Sequence, residues 1–196
     1  MTYVPPDPQA FIARVAAKPC CAAITADTYV DAAMSSQAPV VFILRGNGLS
    51  LTTLVQRIHE AGKLVAVHID LISGLRHDRA GVAWLAGVGV DAVISSHGQL
   101  MAAIRNDGMT AIHRLLLVRR SQLDSAALAI SRSAPSIVEV LPGVIFPSIV
   151  DRMPPFKMPV LAGGFIRTTS DVRAVLNAGA LGVTTSTSTL WGDGVG

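Results

Sequence analysis

Two short segments near the C-terminal end of the chain combine glycine with hydroxyl side chains. The first is VLAGGF, which contains Gly163 and Gly164, and the second is GVTTS, which contains Thr185 and Ser186. Glycine lets the backbone approach an anion closely so that N–H groups point at it, and Thr and Ser hydroxyls add further donors. The two segments therefore predict a phosphate-binding site, although a Gly-Gly pair alone is also typical of a tight turn.

Polar and charged residues interrupt apolar stretches at four other positions. The stretch LVAVHID ends in His68 and Asp70, the stretch IVEV contains Glu139, and the apolar stretch before it contains Arg114. Because buried polar groups have to pair, a His68–Asp70 hydrogen bond and an Arg114–Glu139 salt bridge are the structural interpretations. The functional interpretation, which we adopt as the prediction, is that the four side chains bind the hydroxyl groups of a polyol.

The sequence predicts neither a metal nor a cofactor. A metal site formed by His68, Asp70, His77 and Asp78 is an alternative, but the spacing of these residues is diagnostic of no ion. The chain also lacks a cofactor fingerprint. Glu139 and Asp70 have the chemistry of a general acid or base, yet no nucleophile or catalytic lysine is evident beside them, so we predict no catalytic residue.

Eight short runs rich in Val and Ile alternate with longer amphipathic segments, which is typical of repeated β-α units around a parallel sheet. We predict an α/β fold, a compact (β/α)8 TIM barrel, with an open doubly wound sheet as the alternative. In such a barrel the C-terminal strand ends face the ligand, and the loops after the last two strands form the recurrent phosphate site. Strand alternation then directs His68, Asp70 and Glu139 inward. The predicted strands are residues 21–25, 40–44, 64–69, 92–95, 110–117, 137–140, 159–162 and 181–185.

Composition supports one folded domain. The chain has 196 residues, of which 51% are hydrophobic and 15% are charged, and this excludes a disordered chain. We predict a single TIM-barrel domain over residues 1–196, in which residues 1–18 form a leader segment or an added helix. Two adjacent cysteines, no signal peptide and no bilayer-length apolar stretch favour a cytoplasmic protein without a membrane partner. The scarcity of charge is also compatible with a homo-oligomer.

Four longer motifs occur in order along the chain. They are VHIDLISGLRHDRAG at residues 67–81, VEVLPG at 138–143, LAGGFIRTTSDV at 161–172 and AGALGVTTSTSTLW at 178–191. Together these motifs resemble the glycerol-3-phosphate-responsive antiterminators, regulators of the bacterial glycerol uptake operon. The resemblance covers residues 40–191.

The resemblance implies a TIM barrel that binds glycerol 3-phosphate as a signal, without turnover. It further implies that the protein then binds leader mRNA and prevents premature transcription termination. The family's phosphate loops correspond to residues 162–165 and 184–186, and its HxDL motif corresponds to residues 68–71. We also hypothesise that the loop at residues 72–78 orders over the ligand, and that Arg76 and Arg79 contact RNA phosphates.

Two other functions stay open on the sequence. One is a TIM-barrel enzyme acting on a phosphosugar or triose phosphate, with Glu139 or Asp70 as the acid/base group, which predicts turnover that Glu139→Gln abolishes. The other is a phosphate-ligand sensor that acts through a protein partner, which predicts ligand binding without RNA affinity. The antiterminator predicts ligand binding without conversion and RNA affinity that falls as salt rises.

Overall fold

Eight parallel strands close into a barrel in the computed structural model, which describes residues 3–25, 29–119, 121–153 and 156–192. The closure confirms the predicted (β/α)8 architecture and excludes the open sheet. Barrel strands that are neighbours in space are also consecutive barrel strands along the chain, and the first barrel strand pairs with the last to close the ring. The barrel strands are β1 (Cys20–Ile24), β2 (Val40–Ile43), β4 (Leu64–His68), β6 (Ala92–Ser95), β7 (Thr110–Leu116), β8 (Ile137–Leu141), β9 (Val160–Gly163) and β10 (Gly182–Thr185).

Two further strands form a small parallel ribbon outside the barrel. They are β3 (Gly46–Asn47) and β5 (Ile72–Ser73), which follow β2 and β4. The described helices are α1 (Pro8–Ala17), α2 (Val30–Ser35), α3 (Gly48–Glu60), α4 (Arg79–Val88), α5 (Met101–Asn106), α6 (Gln122–Ser133), α7 (Phe146–Ile149) and α8 (Thr169–Asn177). None of these helices has the length and apolar character needed to cross a membrane.

Helix α1 packs against the end of the barrel formed by the N-terminal ends of the strands. Its residues Phe11 and Val15 are fully buried and belong to the same apolar cluster as Cys21, Val40 and Ala92, which lie at the N-terminal ends of their strands. Of the two sequence possibilities for residues 1–18, residues 8–17 therefore form an added helix. Among the described residues this apolar layer fills the N-terminal end of the barrel, and the cavity described below lies at the C-terminal ends of the strands.

Side chains cap the N-termini of α8 and α3. Thr168 caps α8: its hydroxyl accepts a hydrogen bond from the Asp171 N–H, and the Asp171 carboxylate accepts one from the Thr168 N–H. At α3 the capping residue is Asn47 and not Ser50. The Asn47 side chain accepts a hydrogen bond from the Leu49 N–H and caps α3, while the Ser50 hydroxyl donates to the Asn47 carbonyl.

Candidate ligand-binding site

A cavity of about 320 Å³ opens at the C-terminal end of the barrel. Among its lining residues are the four predicted phosphate-binding residues, Gly163, Gly164, Thr185 and Ser186, together with Arg114 and Glu139. His68 lies beside the cavity, where its Nδ1 is 3.3 Å from Nη1 of Arg114. The tertiary structure therefore brings residues from five of the barrel strands and the loops after them to one place, and their role in binding stays a prediction.

The floor of this cavity holds a buried carboxylate with two partners. Glu139 is completely buried, and its Oε2 accepts a hydrogen bond of 2.7 Å from Nε of Arg114. The Thr184 hydroxyl donates to the other oxygen, Oε1, also at 2.7 Å. The β7–β8 register places Arg114 directly beside Glu139, so the predicted salt bridge exists. Both carboxylate oxygens are engaged, as a buried charge requires.

Thr184 is a cavity residue that the sequence analysis missed. The sequence predicted a role for the adjacent Thr185 instead. Consecutive strand residues point to opposite faces of the sheet, so only one of the two threonines can point into the barrel. Thr184 takes the inward position. The Thr185 hydroxyl instead donates to the Ile166 carbonyl at 2.7 Å and accepts from the Thr187 N–H, so it fixes the loops to each other.

Gly163 and Gly164 are required for different physical reasons. A Cβ on Gly163 would collide with the Thr184 hydroxyl and lie 2.8 Å from Oε1 of Glu139, so a side chain there would displace the buried hydrogen bond. Gly164 has room for a Cβ, since its nearest neighbour would lie 3.8 Å away, but its φ of +84° is in the left-handed region that favours glycine. Gly163 is therefore needed because other groups approach it closely, and Gly164 because of its turn conformation.

Backbone amides at the end of β9 supply unused hydrogen-bond donors. Within the described chain, the N–H groups of Gly164, Phe165 and Ile166 donate to no other residue. The exposed Ser186 also lines the cavity, and its hydroxyl makes no hydrogen bond to the described residues. Free N–H groups at a cavity wall favour an anion, because a bound anion satisfies several donors at once.

Arg167 is a second cavity residue that the sequence analysis did not select. Its backbone N–H is bonded to Asp171, but no carboxylate in the described part of the chain pairs with its guanidinium, which lies 5.9 Å from the centre of the Phe165 ring. Arg114 is already neutralised by Glu139. Arg167 is thus the cation at the cavity that can balance a further negative charge. Its position directly after the glycine loop was the available sequence signal.

A second polar cluster lies beside the cavity and involves Asp70. Its Oδ1 accepts a hydrogen bond of 2.6 Å from the Ser95 hydroxyl, and its Oδ2 accepts one of 2.7 Å from the Ser96 N–H. Oδ2 is also 3.5 Å from Nε2 of His68. Burial by itself raises the pKa of Asp70, but the interactions with His68, Ser95 and Ser96 outweigh it and hold the pKa well below its usual range.

The tautomer of His68 follows from these neighbours. Arg114 is always protonated and only donates, so the His68 Nδ1 facing its Nη1 has to accept. A neutral His68 therefore carries its proton on Nε2, which faces the Asp70 carboxylate. The His68–Asp70 and Arg114–Glu139 pairs are joined through Arg114, so one connected polar network crosses the mouth of the barrel.

The alternative metal site is not assembled. In the described residues, no group of three or more His, Cys, Asp or Glu side chains is arranged to hold an ion. Asp78 instead caps α4, where its Oδ1 accepts hydrogen bonds from the N–H groups of Ala80 and Gly81. Asp78 is therefore used for helix capping.

The two arginines proposed to contact RNA lie away from the cavity. Arg76 is exposed, and its Nε donates a hydrogen bond of 2.7 Å to Oδ2 of Asp78. Arg76 lines a different surface groove, of about 820 Å³, beside the exposed side chains of Leu49 and Trp84. Arg79 is exposed on the first turn of α4. No residue lines both this groove and the cavity at the barrel mouth.

Comparison with known proteins gives the family. Residues 20–191 match the family model described as glycerol-3-phosphate responsive antiterminator. The chain belongs to this family. A crystal structure of the glycerol uptake operon antiterminator regulatory protein of Listeria monocytogenes shares 28% identity and superimposes with a TM-score of 0.82, covering 89% of this chain and 95% of that one.

Other proteins are similar to this chain in sequence or in fold. The uncharacterized protein YgcP of Escherichia coli K12 is 27% identical, over 88% of this chain and 91% of YgcP. A glycerol uptake operon antiterminator-related protein of Thermotoga maritima has the same fold at 24% identity, with a TM-score of 0.80 and coverage of 89% of this chain and 98% of that one. Deoxyribose phosphate aldolase of Aeropyrum pernix, at 12% identity, shares the fold alone, with a TM-score of 0.70 and coverage of 91% and 89%.

The geometry does not favour the enzyme alternative. Glu139, its candidate acid/base group, is buried, and its two oxygens accept hydrogen bonds from Arg114 and Thr184. The Asp70 oxygens are likewise occupied by Ser95 and Ser96. No lysine is among the described residues that line the cavity.

Proposed function

We propose that this protein is a ligand-gated regulator that binds glycerol 3-phosphate in the cavity at the barrel mouth. The loaded protein then binds the leader mRNA of a glycerol utilisation operon and prevents premature transcription termination. The ligand acts as a signal in this proposal, so no cofactor and no catalytic residue take part. The observation that carries it is the set of unused donors at the end of β9, in a chain of the antiterminator family.

The proposed phosphate site combines amides, a hydroxyl and one cation. The free N–H groups of Gly164, Phe165 and Ile166 supply directed donors, and Ser186 adds a hydroxyl at the facing loop. Arg167 supplies the charge that Arg114 cannot, because Arg114 is paired with Glu139. This is the position in which barrels of this architecture recurrently bind phosphate, after the last two strands.

The proposed polyol site is the network around Arg114. Its N–H groups and the Thr184 hydroxyl lie at the cavity floor, with His68 and Asp70 beside it. A cavity of about 320 Å³ is at the small end of the range for ligand pockets, as suits a three-carbon phosphate. Polar groups that a ligand leaves unpaired lower its affinity strongly, so we expect discrimination against ligands without hydroxyls.

The experiment is a calorimetric titration combined with an RNA mobility shift. We expect saturable binding of glycerol 3-phosphate, with much weaker binding of glycerol and of inorganic phosphate, each of which fills only half of the site. The leader RNA should shift with the ligand present and shift less without it, and the affinity should fall between 50 and 200 mM salt. Conversion of glycerol 3-phosphate by the protein would contradict the proposal. An RNA affinity that is the same with and without glycerol 3-phosphate would contradict it as well.

Matched arginine variants locate the phosphate. Arg167→Ala should weaken glycerol 3-phosphate binding about tenfold or more, because a charge-assisted contact is lost. Arg173→Ala removes the same charge from an exposed position on α8, outside the cavity, and should leave binding unchanged. Equal effects of the two substitutions would show that only net charge matters and would count against the proposed site.

The RNA hypothesis for Arg76 and Arg79 is tested in the same assay. Both side chains are exposed and lie outside the cavity, so Arg76→Ala and Arg79→Ala should leave glycerol 3-phosphate binding intact. Weaker RNA binding with a reduced salt dependence would support a phosphate contact by either residue. Unchanged RNA affinity in both variants would remove the α4 face from the RNA-binding surface.

A further inference from the structure

Phe165 has an unusual position for an aromatic residue. It lines the cavity, yet its side chain is 66% exposed, and its backbone φ of +60° lies in the left-handed region that non-glycine residues rarely adopt. Burial does not compensate for this conformation, because most of the ring faces solvent. Backbone conformations of this kind are concentrated at ligand clamps and switch regions.

The contact between Phe165 and Arg167 connects the ring to the cavity. The Arg167 guanidinium lies 5.9 Å from the ring centre, and both residues line the cavity. A cation over the face of an exposed ring is held weakly, whereas a phosphate dianion attracts the same guanidinium more strongly. A bound phosphate therefore competes with the ring for Arg167.

Among the described residues that line the cavity, Phe165 is the one with an aromatic ring. Tyr3, Tyr29 and Trp84 are the other exposed Phe, Tyr or Trp residues in the described chain, and neither they nor the exposed His77 and His97 line this cavity. The neighbouring rim contributes exposed aliphatic side chains: Val144 is 39% exposed and donates its N–H to the Gly164 carbonyl. Unpaired RNA bases bind proteins by stacking on aromatic rings, so Phe165 is the rim residue with suitable chemistry.

We infer that Phe165 is the residue on which an unpaired base of the RNA stacks, and that Arg167 couples this contact to the ligand. Without ligand, Arg167 covers one face of the ring. When phosphate binds, the guanidinium contacts it and leaves the ring face free for a base. This inference rests on the proposed function and adds to it the point where ligand binding is transmitted to RNA binding.

The test compares substitutions that keep or remove the stacking face. Phe165→Leu keeps an apolar side chain without a planar ring, Phe165→Trp keeps a ring, and Tyr29→Leu removes an exposed aromatic side chain that lines neither the cavity nor the groove beside Arg76. We expect Phe165→Leu to reduce the RNA affinity of the ligand-loaded protein about tenfold or more, the loss of one base–aromatic stack. Phe165→Trp and Tyr29→Leu should retain RNA affinity, when each variant is measured at a glycerol 3-phosphate concentration that saturates that variant.

Arg167→Gln tests the coupling separately. It removes the cation from the ring face, so the ligand-free variant should bind RNA more tightly than the ligand-free unmodified protein does. Even at ligand concentrations that saturate the variant, the ratio of RNA affinities with and without ligand should fall toward one. An unchanged ratio would overturn the role of Arg167 in coupling.

The outcomes separate this inference from the function on which it rests. If Phe165→Leu binds ligand and RNA as the unmodified protein does, the stacking inference is overturned and the antiterminator proposal stands. If the unmodified protein binds ligand but no leader RNA in either state, the proposed function fails and the inference fails with it. A reduced affinity in Phe165→Trp equal to that in Phe165→Leu would also overturn it, since the tryptophan retains a stacking face.

Discussion

Removing the carboxylate of Glu139 should destabilise the barrel strongly. Glu139→Leu leaves the Arg114 guanidinium, whose side chain is only 10% exposed, without its ion pair, and leaves the Thr184 hydroxyl without its acceptor. Breaking a buried pair by deleting one partner costs about 3–5 kcal/mol, because the remaining charge stays buried. With a urea m-value of about 2 kcal/mol per molar, the unfolding midpoint should fall by roughly 1.5–2.5 M.

The double variant Arg114→Met/Glu139→Leu distinguishes pairing from packing. It removes both charges and keeps apolar volume, so much of the lost free energy of unfolding should return, at least about 2 kcal/mol. Recovery should be incomplete, because the unpaired Thr184 hydroxyl still costs about 1–3 kcal/mol. Far-UV circular dichroism in urea at neutral pH measures the unfolding of the unmodified protein, of Glu139→Leu, of Arg114→Met and of the double variant.

An exposed ion pair provides the control. Arg57 and Asp31 form a contact of 2.8 Å, but their side chains are 49% and 83% exposed. Asp31→Ala should therefore change the free energy of unfolding by less than about 1 kcal/mol. The reasoning is refuted if Glu139→Leu costs no more than this control, or if the double variant is as unstable as the sum of its two single substitutions.

Three further predictions concern the site and its pH dependence. Gly163→Ala should cost more stability than Gly164→Ala in urea unfolding, about 2–3 against about 1 kcal/mol, because only the former displaces the buried Thr184 hydrogen bond; equal costs would contradict this. The folded-state pKa of Asp70 is lowered, so its contribution to the free energy of unfolding should be present above about pH 4 and should be lost as the pH falls through the folded-state pKa. Asp70→Asn should therefore reduce the loss of stability at acid pH in urea unfolding measured across this range. The pKa of His113 is also lowered, in this case by burial of the ring, so stability should fall as the pH drops below about 6.5, and His113→Gln should reduce that slope; an unaltered slope would refute it.

The strand pattern and the inward polar residues were predictable from the sequence. Alternation in a two-residue period fixes which side chains share a face, so the sequence predicts Glu139 and His68 on the inner face, where the structure has them. The same rule also separates Thr184 from Thr185, but it needs the exact strand register to choose between them. That register depends on pairing with β9 and β1, which lie far away in the chain.

The position of individual donors was not predictable, because local rules leave several choices open. Ser50 and Asn47 are both good N-cap residues, and the actual start of α3 is decided by how the preceding ribbon strand β3 enters it. A binding role for Arg167 was not predictable from the sequence for a similar reason. A guanidinium becomes a binding group only when its neighbours leave it unpaired, and pairing is a property of the assembled structure.

The order of strands and helices, the glycine-rich loops and the family motifs are written in the sequence, because each depends on residues close together in the chain. Closure of the barrel, burial of Glu139 between Arg114 and Thr184, and the single cavity formed by the β9 and β10 loops were decided only by the tertiary structure. The contacts of Glu139 join residues 25 and 45 positions apart, and closure pairs Cys20 with Val183, so these contacts exist only once the strands pair in one register.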